Sequence, residues 1–304
     1  MKVRVLLPLA ALGSAVVYLR LLTNRGRTVY PAPESLIISH VTDLLAPPDG
    51  QHNRNIPLEG AANLRDIGGY RTSDGRYVRW GRVYRSGAIS GLTDDDLQTV
   101  SALGLKLVCD LRGDEEVRTF PDRLPDTVEY ARFPINPDRR GENRARLRAL
   151  LFDQKRLGLM ILDIYRRAVD ENAAAFGRVI QRLADAHNLP TLIHCTAGKD
   201  RAGLAVALLL LAIGVPEEVV IADYSLSNRH YDFFARYTRR YVRQLAILGV
   251  TNADMYPMLT ADPKTLRSAL AYLVERYGSV QDYLRDRAGV DDATLERVKA
   301  NLLT

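Results

Sequence analysis

The spacing of apolar residues changes character several times along the 304-residue chain, and each change marks an element. "KLVCDLR" (residues 106–112) and "PTLIHC" (190–195) are apolar runs too short for helices, and they read as buried strands. "YRTSDGRYVRWGRVYRSG" (70–87) alternates aromatic residues and valine with polar ones on both sides of Asp74-Gly75, the signal of a hairpin. "GLTDDDLQTVSALGL" (91–105) predicts a helix capped by Thr93, with aspartates in its first turn and Gly104 just past its end. Residues 141–187 read as two or three helical pieces, because "LGLMILDIYRRAV" and "AAFGRVIQRLADA" place apolar residues at helical spacing. Leu204 to Ile213 is apolar on every side, as a buried helix is, and further helices with tyrosine and arginine stripes are predicted in 222–248 and 263–300. Strand and helix alternate through the middle of the chain, so the fold class is α/β, with a central, mostly parallel sheet flanked by helices.

The first 22 residues follow another pattern. Lys2 and Arg4 precede an apolar run, Val5 to Leu19, which is followed by Arg20, Leu21 and Leu22. The run is shorter than the roughly 20 residues of a spanning helix. It has the layout of a signal-peptide core, yet no convincing A-x-A cleavage site follows it. The expectation is an N-terminal apolar helix, residues 1–22, acting as a membrane anchor; a cleaved signal for secretion and a cytoplasmic protein are the alternatives. Arg25 and Arg27 favour keeping that flank in the cytoplasm. Residues 23–57, with "YPAPES" and "APPDGQHNRN", show no periodic core pattern and read as a linker, which leaves 58–304 as the folded domain.

Charge narrows the picture less than it first suggests. The formal net charge is +6, and only six of the 42 basic residues are lysine. Arginine's planar fork suits carboxylates and phosphates, but nothing beyond net charge points to nucleic acid, which is not expected as a partner. Cys109 and Cys195 lie in apolar runs outside any CxxC or Cys/His spacing, so no disulfide framework and no metal site is implied. No cofactor is expected.

The chemistry gathers in "HCTAGKDRAG" (194–203), between the strand "PTLIHC" and the buried helix. Ligands of open α/β sheets bind outside the carboxyl ends of the strands, which is where Cys195 falls. The amides of Thr196, Ala197, Gly198, Lys199 and Asp200 would converge on a common centre, and the helix start near Arg201 adds partial positive charge. Such a loop is an anion cradle that favours a thiolate. A nucleophile inside a phosphate cradle is a phosphatase design; an inert buried thiol beside a turn is the plain alternative. For His194, a core residue that orients the loop is the expected role.

This loop closely resembles the HCxAGKDRTG signature of the atypical bacterial and fungal protein tyrosine phosphatase family. Other stretches match in order: "NLRDIGGY" (63–70), "RVYRSGAISGLTDDD" (82–96), "CDLRGDEE" (109–116), "DYSLSN" (223–228) and "YGSVQDYLRDRAGVDDATLERV" (277–298). The resemblance spans about residues 56–300 and implies a phosphotyrosine-phosphatase-like fold with a helical lid, residues 227–248. That helix also reads as core-facing, with a basic face suited to anionic lipid. The implied chemistry is phosphomonoester hydrolysis through a phosphocysteine on Cys195. Arg201 and the amides of Thr196, Ala197, Gly198 and Lys199 would bind the phosphoryl group, and Asp200 would be the general acid. Asp110 of "CDLR", at the carboxyl end of the neighbouring strand, is a rival for that role and a candidate substrate contact. Lys199 would favour substrates with additional phosphates, so phosphoinositides stand beside phosphotyrosine and phosphoserine or phosphothreonine proteins. One departure stands out: Ala202 replaces the hydroxyl residue that helps the sulfur leave, which implies slower breakdown of the intermediate. It leaves open a catalytically weak phosphate-binding pseudophosphatase. Arg65, Asp66, Gly68 and Gly69 read as a turn bracing the site.

Overall fold

The structure is a computed structural model, and it describes residues 30–38, 52–136, 142–248, 250–251 and 253–304. The expected N-terminal helix, residues 1–22, and most of the expected linker lie outside the described residues. No helix among the described residues is long and apolar enough to cross a membrane.

Five strands form one mixed sheet in the order β1 (Arg65–Asp66), β2 (Val83–Ser86), β5 (Thr191–His194), β3 (Leu107–Asp110) and β4 (Glu129–Arg132). Only β1 is antiparallel to its neighbour; the other four strands run parallel. Strand β5 is central, and Ser86, Asp110 and His194 lie side by side in register, so the loops after β2, β3 and β5 open at one sheet edge. The two faces are buried by different cores. Val83, Leu107, Cys109 and Ile193 pack into the larger core, while Tyr84, Val108 and Leu192 pack into the other. Alternation with both faces covered is why these strands read as unbroken apolar runs.

The helices are α1 (Asp94–Ala102), α2 (Asp114–Thr119), α3 (Glu142–Phe152), α4 (Gln154–Glu171), α5 (Ala173–Arg182), α6 (Arg201–Ala212), α7 (Glu217–Ser225), α8 (Tyr231–Leu245), α9 (Tyr256–Leu259), α10 (Pro263–Tyr277), α11 (Val280–Asp286) and α12 (Asp292–Leu302). Helix α1 starts with the Thr93 cap, reciprocated by Asp96, and Gly104 follows it at φ +64°. Helix α6 is buried along nearly its whole length, as its all-round apolar sequence requires.

Two boundaries differ from the pattern reading. Around Asp74-Gly75 the expected hairpin is present but short: the N–H groups of Gly69, Thr72 and Val78 donate to the carbonyls of Val78, Arg76 and Tyr70, and Arg71 bridges Tyr77, whereas Val83 and Tyr84 further along join β5. Residues 52–57, read as linker, belong to the fold: Asn55 bridges Arg65, and Arg54 stacks on Tyr70 and Trp80 and donates to the Asp66 carbonyl. Residues 30–38 also pack on the domain, through a stacked Tyr30–Tyr256 pair and a hydrogen bond from the Ile38 N–H to Ser225.

Candidate active site

The loop from Cys195 to Arg201 leaves the central strand and enters α6, as expected, and its path is held from outside. The Ala88 N–H donates to the Thr196 carbonyl at 3.0 Å, Asn63 Nδ2 to Ala197 at 3.2 Å, and Arg85 Nη2 to Gly198 at 2.7 Å and Lys199 at 3.4 Å. A planar trans peptide points its N–H opposite to its carbonyl. Tethering these carbonyls outward therefore turns the next N–H groups inward. No N–H from Thr196 to Asp200 has a protein acceptor among the described residues. Gly198 makes the turn possible: its φ is +69°, and a Cβ there would lie 2.4 Å from the Ser86 carbonyl carbon and oxygen. Cys195, 2% exposed, begins the loop directly after β5.

Arg201 opens α6 and is aimed by an acidic partner. Its Nη1 and Nη2 donate to Glu116 Oε2 at 2.6 Å and Oε1 at 2.7 Å, and Nη2 reaches Thr196 Oγ1 at 3.1 Å. Thr196 Oγ1 in turn donates to Glu116. Burial pushes the Glu116 carboxyl up, but the Arg201 fork and the Thr196 hydroxyl outweigh it and hold it down at about 2. The bidentate pair fixes the guanidinium plane.

Asp200 occupies the cap position of α6 without capping it. Its Oδ1 accepts from Tyr165 Oη at 2.7 Å and from Lys199 Nζ at 2.8 Å. Tyr165 spends its one proton on Asp200, so the 2.6 Å contact between Tyr165 and Tyr224 must be donated by Tyr224. Burial, reinforced by the facing Asp200, raises the Tyr165 hydroxyl well above its ordinary value and keeps it a donor. Lys199 is buried rather than solvated.

Two cavities flank Lys199 and Asp200. One, of about 340 Å³, is lined by Glu116, Arg201, Tyr165 and the α4 residues Met160, Ile161 and Ile164. The other, of about 620 Å³, is lined by Thr196, Ala197, Phe120, Leu259 and the α8 residues Phe233, Phe234 and Thr238. Met258 borders both.

Asp110 is a correction: it does not join this group. It pairs with His194 in register, and side chains alternate between sheet faces, so it points to the face opposite Cys195. There it is fully buried, bound by Arg112 at 2.8 Å and by Tyr130 Oη at 2.6 Å. Burial works against its charge, yet the Arg112 fork, His194 and Tyr130 hold its carboxyl at about 2. Asp110, Asp122 and His194 cluster closely enough to suit a cation, but Arg112 already bridges the two carboxylates, at 2.8 and 2.5 Å. His194 lies 3.2 Å from Asp122, with neither ring nitrogen in a well-aligned hydrogen bond.

The brace behind the loop goes further than the expected Arg65–Gly69 turn. Asp223 on α7 accepts from Arg65 at 3.0 Å, Arg85 at 2.7 Å and Tyr70 at 2.8 Å, all buried. Arg85 thus links Asp223 to the Gly198 carbonyl. Glu116, Arg85, Asp223, Asn63 and Tyr165 were not singled out on sequence. Two had a local signal: Arg85 is a charge inside the apolar "RVYRS" run, and Glu116 follows a strand end in "CDLRGDEE".

A family model described as the tyrosine phosphatase family matches residues 56–304. The chain is 30% identical over 245 residues to a Cupriavidus necator protein assigned as a tyrosine-protein phosphatase, H16_A0669, covering 81% of this chain and 88% of that one. It is 33% identical over 277 residues to the triple specificity protein phosphatase PtpB of Mycobacterium tuberculosis, covering 81% of this chain and 98% of that one. On these matches the chain belongs to the tyrosine phosphatase family and is a protein tyrosine phosphatase.

Proposed function

We propose that the chain hydrolyses phosphomonoesters in two steps through a phosphocysteine on Cys195, acting on phosphotyrosine proteins, on phosphoserine or phosphothreonine proteins and on phosphoinositides. The observation that carries this reading is the run of inward N–H groups from Ala197 to Asp200, without a protein acceptor among the described residues, on the loop that begins at Cys195 and ends at the Arg201 fork. Cys195 Sγ attacks phosphorus, an S–P bond forms, and the P–O bond to the leaving group breaks. The leaving oxygen takes its proton from Asp200. Water then attacks the phosphocysteine, gives a proton to Asp200 and releases the thiolate. Loop amides and Arg201 hold the equatorial oxygens throughout, so catalysis is positioning and charge stabilisation. Tyr165 and Lys199 share Asp200 Oδ1, which leaves Oδ2 for the travelling proton. The deciding experiment is acid-quenched mass spectrometry during turnover of p-nitrophenyl phosphate. Phosphate on the peptide containing Cys195 supports the reading, and turnover without it overturns it.

The side-chain roles predict distinct losses. Asp200→Asn is expected to slow phenyl phosphate far more than p-nitrophenyl phosphate, since only the poorer leaving group needs the proton; equal losses would remove Asp200 from the role. Glu116→Gln is expected to lower kcat/KM by about 10²-fold through misdirection of Arg201, and unchanged kinetics would show that Glu116 does not aim it.

The breadth of substrates is supported by the M. tuberculosis relative, a triple specificity protein phosphatase, and by the position of Lys199 between two cavities. Lys199→Ala is expected to reduce phosphoinositide turnover about tenfold more than phosphotyrosine peptide turnover, through one lost charged contact. An unchanged ratio in a parallel assay of both substrates would reject the lysine's role. Buried Ala202 is the observation behind the second reading, a catalytically weak phosphate binder, which the same substrate panel tests. The apolar residues 1–22 support membrane association of the enzyme.

A further inference from the structure

We propose that the outward face of α8 is a docking surface for an anionic lipid bilayer. Phe234, Val242 and Leu245 of this helix pack into the core, while Arg236, Arg239, Arg240 and Arg243 are exposed. At 100° per residue those arginines fall on the side opposite Phe234 and Leu245. Arg229, just before the helix, is exposed as well. None of the five has an acidic partner among the described residues, and Asp232 is the only acidic residue in the helix. A stripe of arginines without carboxylate partners is not a solvated ion-pair lattice; it is a cationic face waiting for anions.

The occupant follows from where the apolar N-terminal stretch joins the fold. The described chain starts at Tyr30, whose ring stacks on Tyr256 at 4.4 Å, and Tyr256 in turn packs on Tyr231 at 6.1 Å. Tyr231 is the first residue of α8. The apolar run ends at Leu19, eleven residues before Tyr30, a span of at most about 40 Å. Any bilayer that takes up Val5 to Leu19 is therefore within reach of the arginine face. Arg20, Arg25 and Arg27 lie on the stretch between them. One apolar insertion alone binds weakly, and a basic face is the usual second signal. This inference rests on the membrane association proposed for residues 1–22.

The test is flotation of the full-length chain with vesicles of phosphatidylcholine alone and of phosphatidylcholine with phosphatidylserine. Wild type is expected to partition onto the anionic vesicles at least about tenfold better, and high salt is expected to erase the difference. Changing Arg236, Arg239, Arg240 and Arg243 to glutamine should bring the two partitions within about twofold, with p-nitrophenyl phosphate turnover and neutral-vesicle partition unchanged. The four lysine substitutions should restore the anionic preference. A glutamine variant that keeps the preference overturns the proposal. So does a wild type whose face captures polyglutamate but shows no anionic-vesicle preference, which would point to an acidic protein instead. Absence of neutral-vesicle binding speaks against the anchor alone, so the two readings fail separately.

Discussion

Cys195→Ser is expected to lower turnover of p-nitrophenyl phosphate by about 10⁴-fold or more while leaving binding of inorganic phosphate nearly intact. The two outcomes separate because the site divides its labour. In the proposed mechanism binding rests on the inward N–H groups of Ala197 to Asp200 and on Arg201, and none of these contacts involves the sulfur. Attack in that mechanism needs a strong nucleophile, which a cysteine sulfur is and a serine hydroxyl without a base is not. No base is hydrogen-bonded to Cys195 among the described residues: Asp200 is held by Tyr165 and Lys199, and Glu116 by Arg201 and Thr196. A serine there would have nothing to take its proton. Stability should change little, because the substitution keeps the shape of a 2% exposed side chain and the loop amides can receive its oxygen. Steady-state kinetics, phosphate inhibition of any residual turnover and a thermal melt check the three claims. Residual activity above about one per cent would mean that another group carries the attack.

The loop was legible in the sequence because its parts are contiguous. A strand, the loop and a helix N-terminus follow one another directly in the chain, and Gly198 marks the turn between them. What aims that cradle was not legible, because it arrives by tertiary contact. Arg201 meets Glu116 across 85 positions, Arg85 meets Asp223 across 138, and Asp200 meets Tyr165 across 35. No local spacing encodes such pairs. Asp110 shows the opposite failure. Its place at a strand end was right, but strand-end position says nothing about which sheet face a side chain takes, and register with His194 sends it away from Cys195. The alternation in 70–87 covers two partners: residues 69–78 fold on themselves about Asp74-Gly75, while Val83–Ser86 joins β5, a pairing across more than 100 positions that no local pattern encodes.

The brace behind the loop makes the second large prediction. Asp223→Asn is expected to destabilise the fold by about 3–5 kcal/mol at neutral pH, because it leaves Arg65 and Arg85 buried against each other without the carboxylate between them. Both guanidiniums and the carboxylate are at most 3% exposed, so water cannot substitute. Burial pushes the Asp223 carboxyl up, but the two arginines overcome it and hold it far below the ordinary 3.8. The unfolded chain therefore takes up a proton at this position before the folded chain does. Stability from Asp223 is complete above pH 3.8 and drains as pH falls below it. Glu116 and Asp110, each held at about 2, drain in the same direction from their ordinary values of 4.5 and 3.8. Urea denaturation at a series of pH values should show a wide gap between wild type and Asp223→Asn at pH 7 that narrows in acid. A gap independent of pH would mean that packing, not charge, holds the brace. Because Arg85 also holds the Gly198 carbonyl at 2.7 Å, folded Asp223→Asn should lose kcat/KM as well, by about tenfold or more for a displaced loop amide. Asp223→Glu, which keeps the charge, should recover part of both losses.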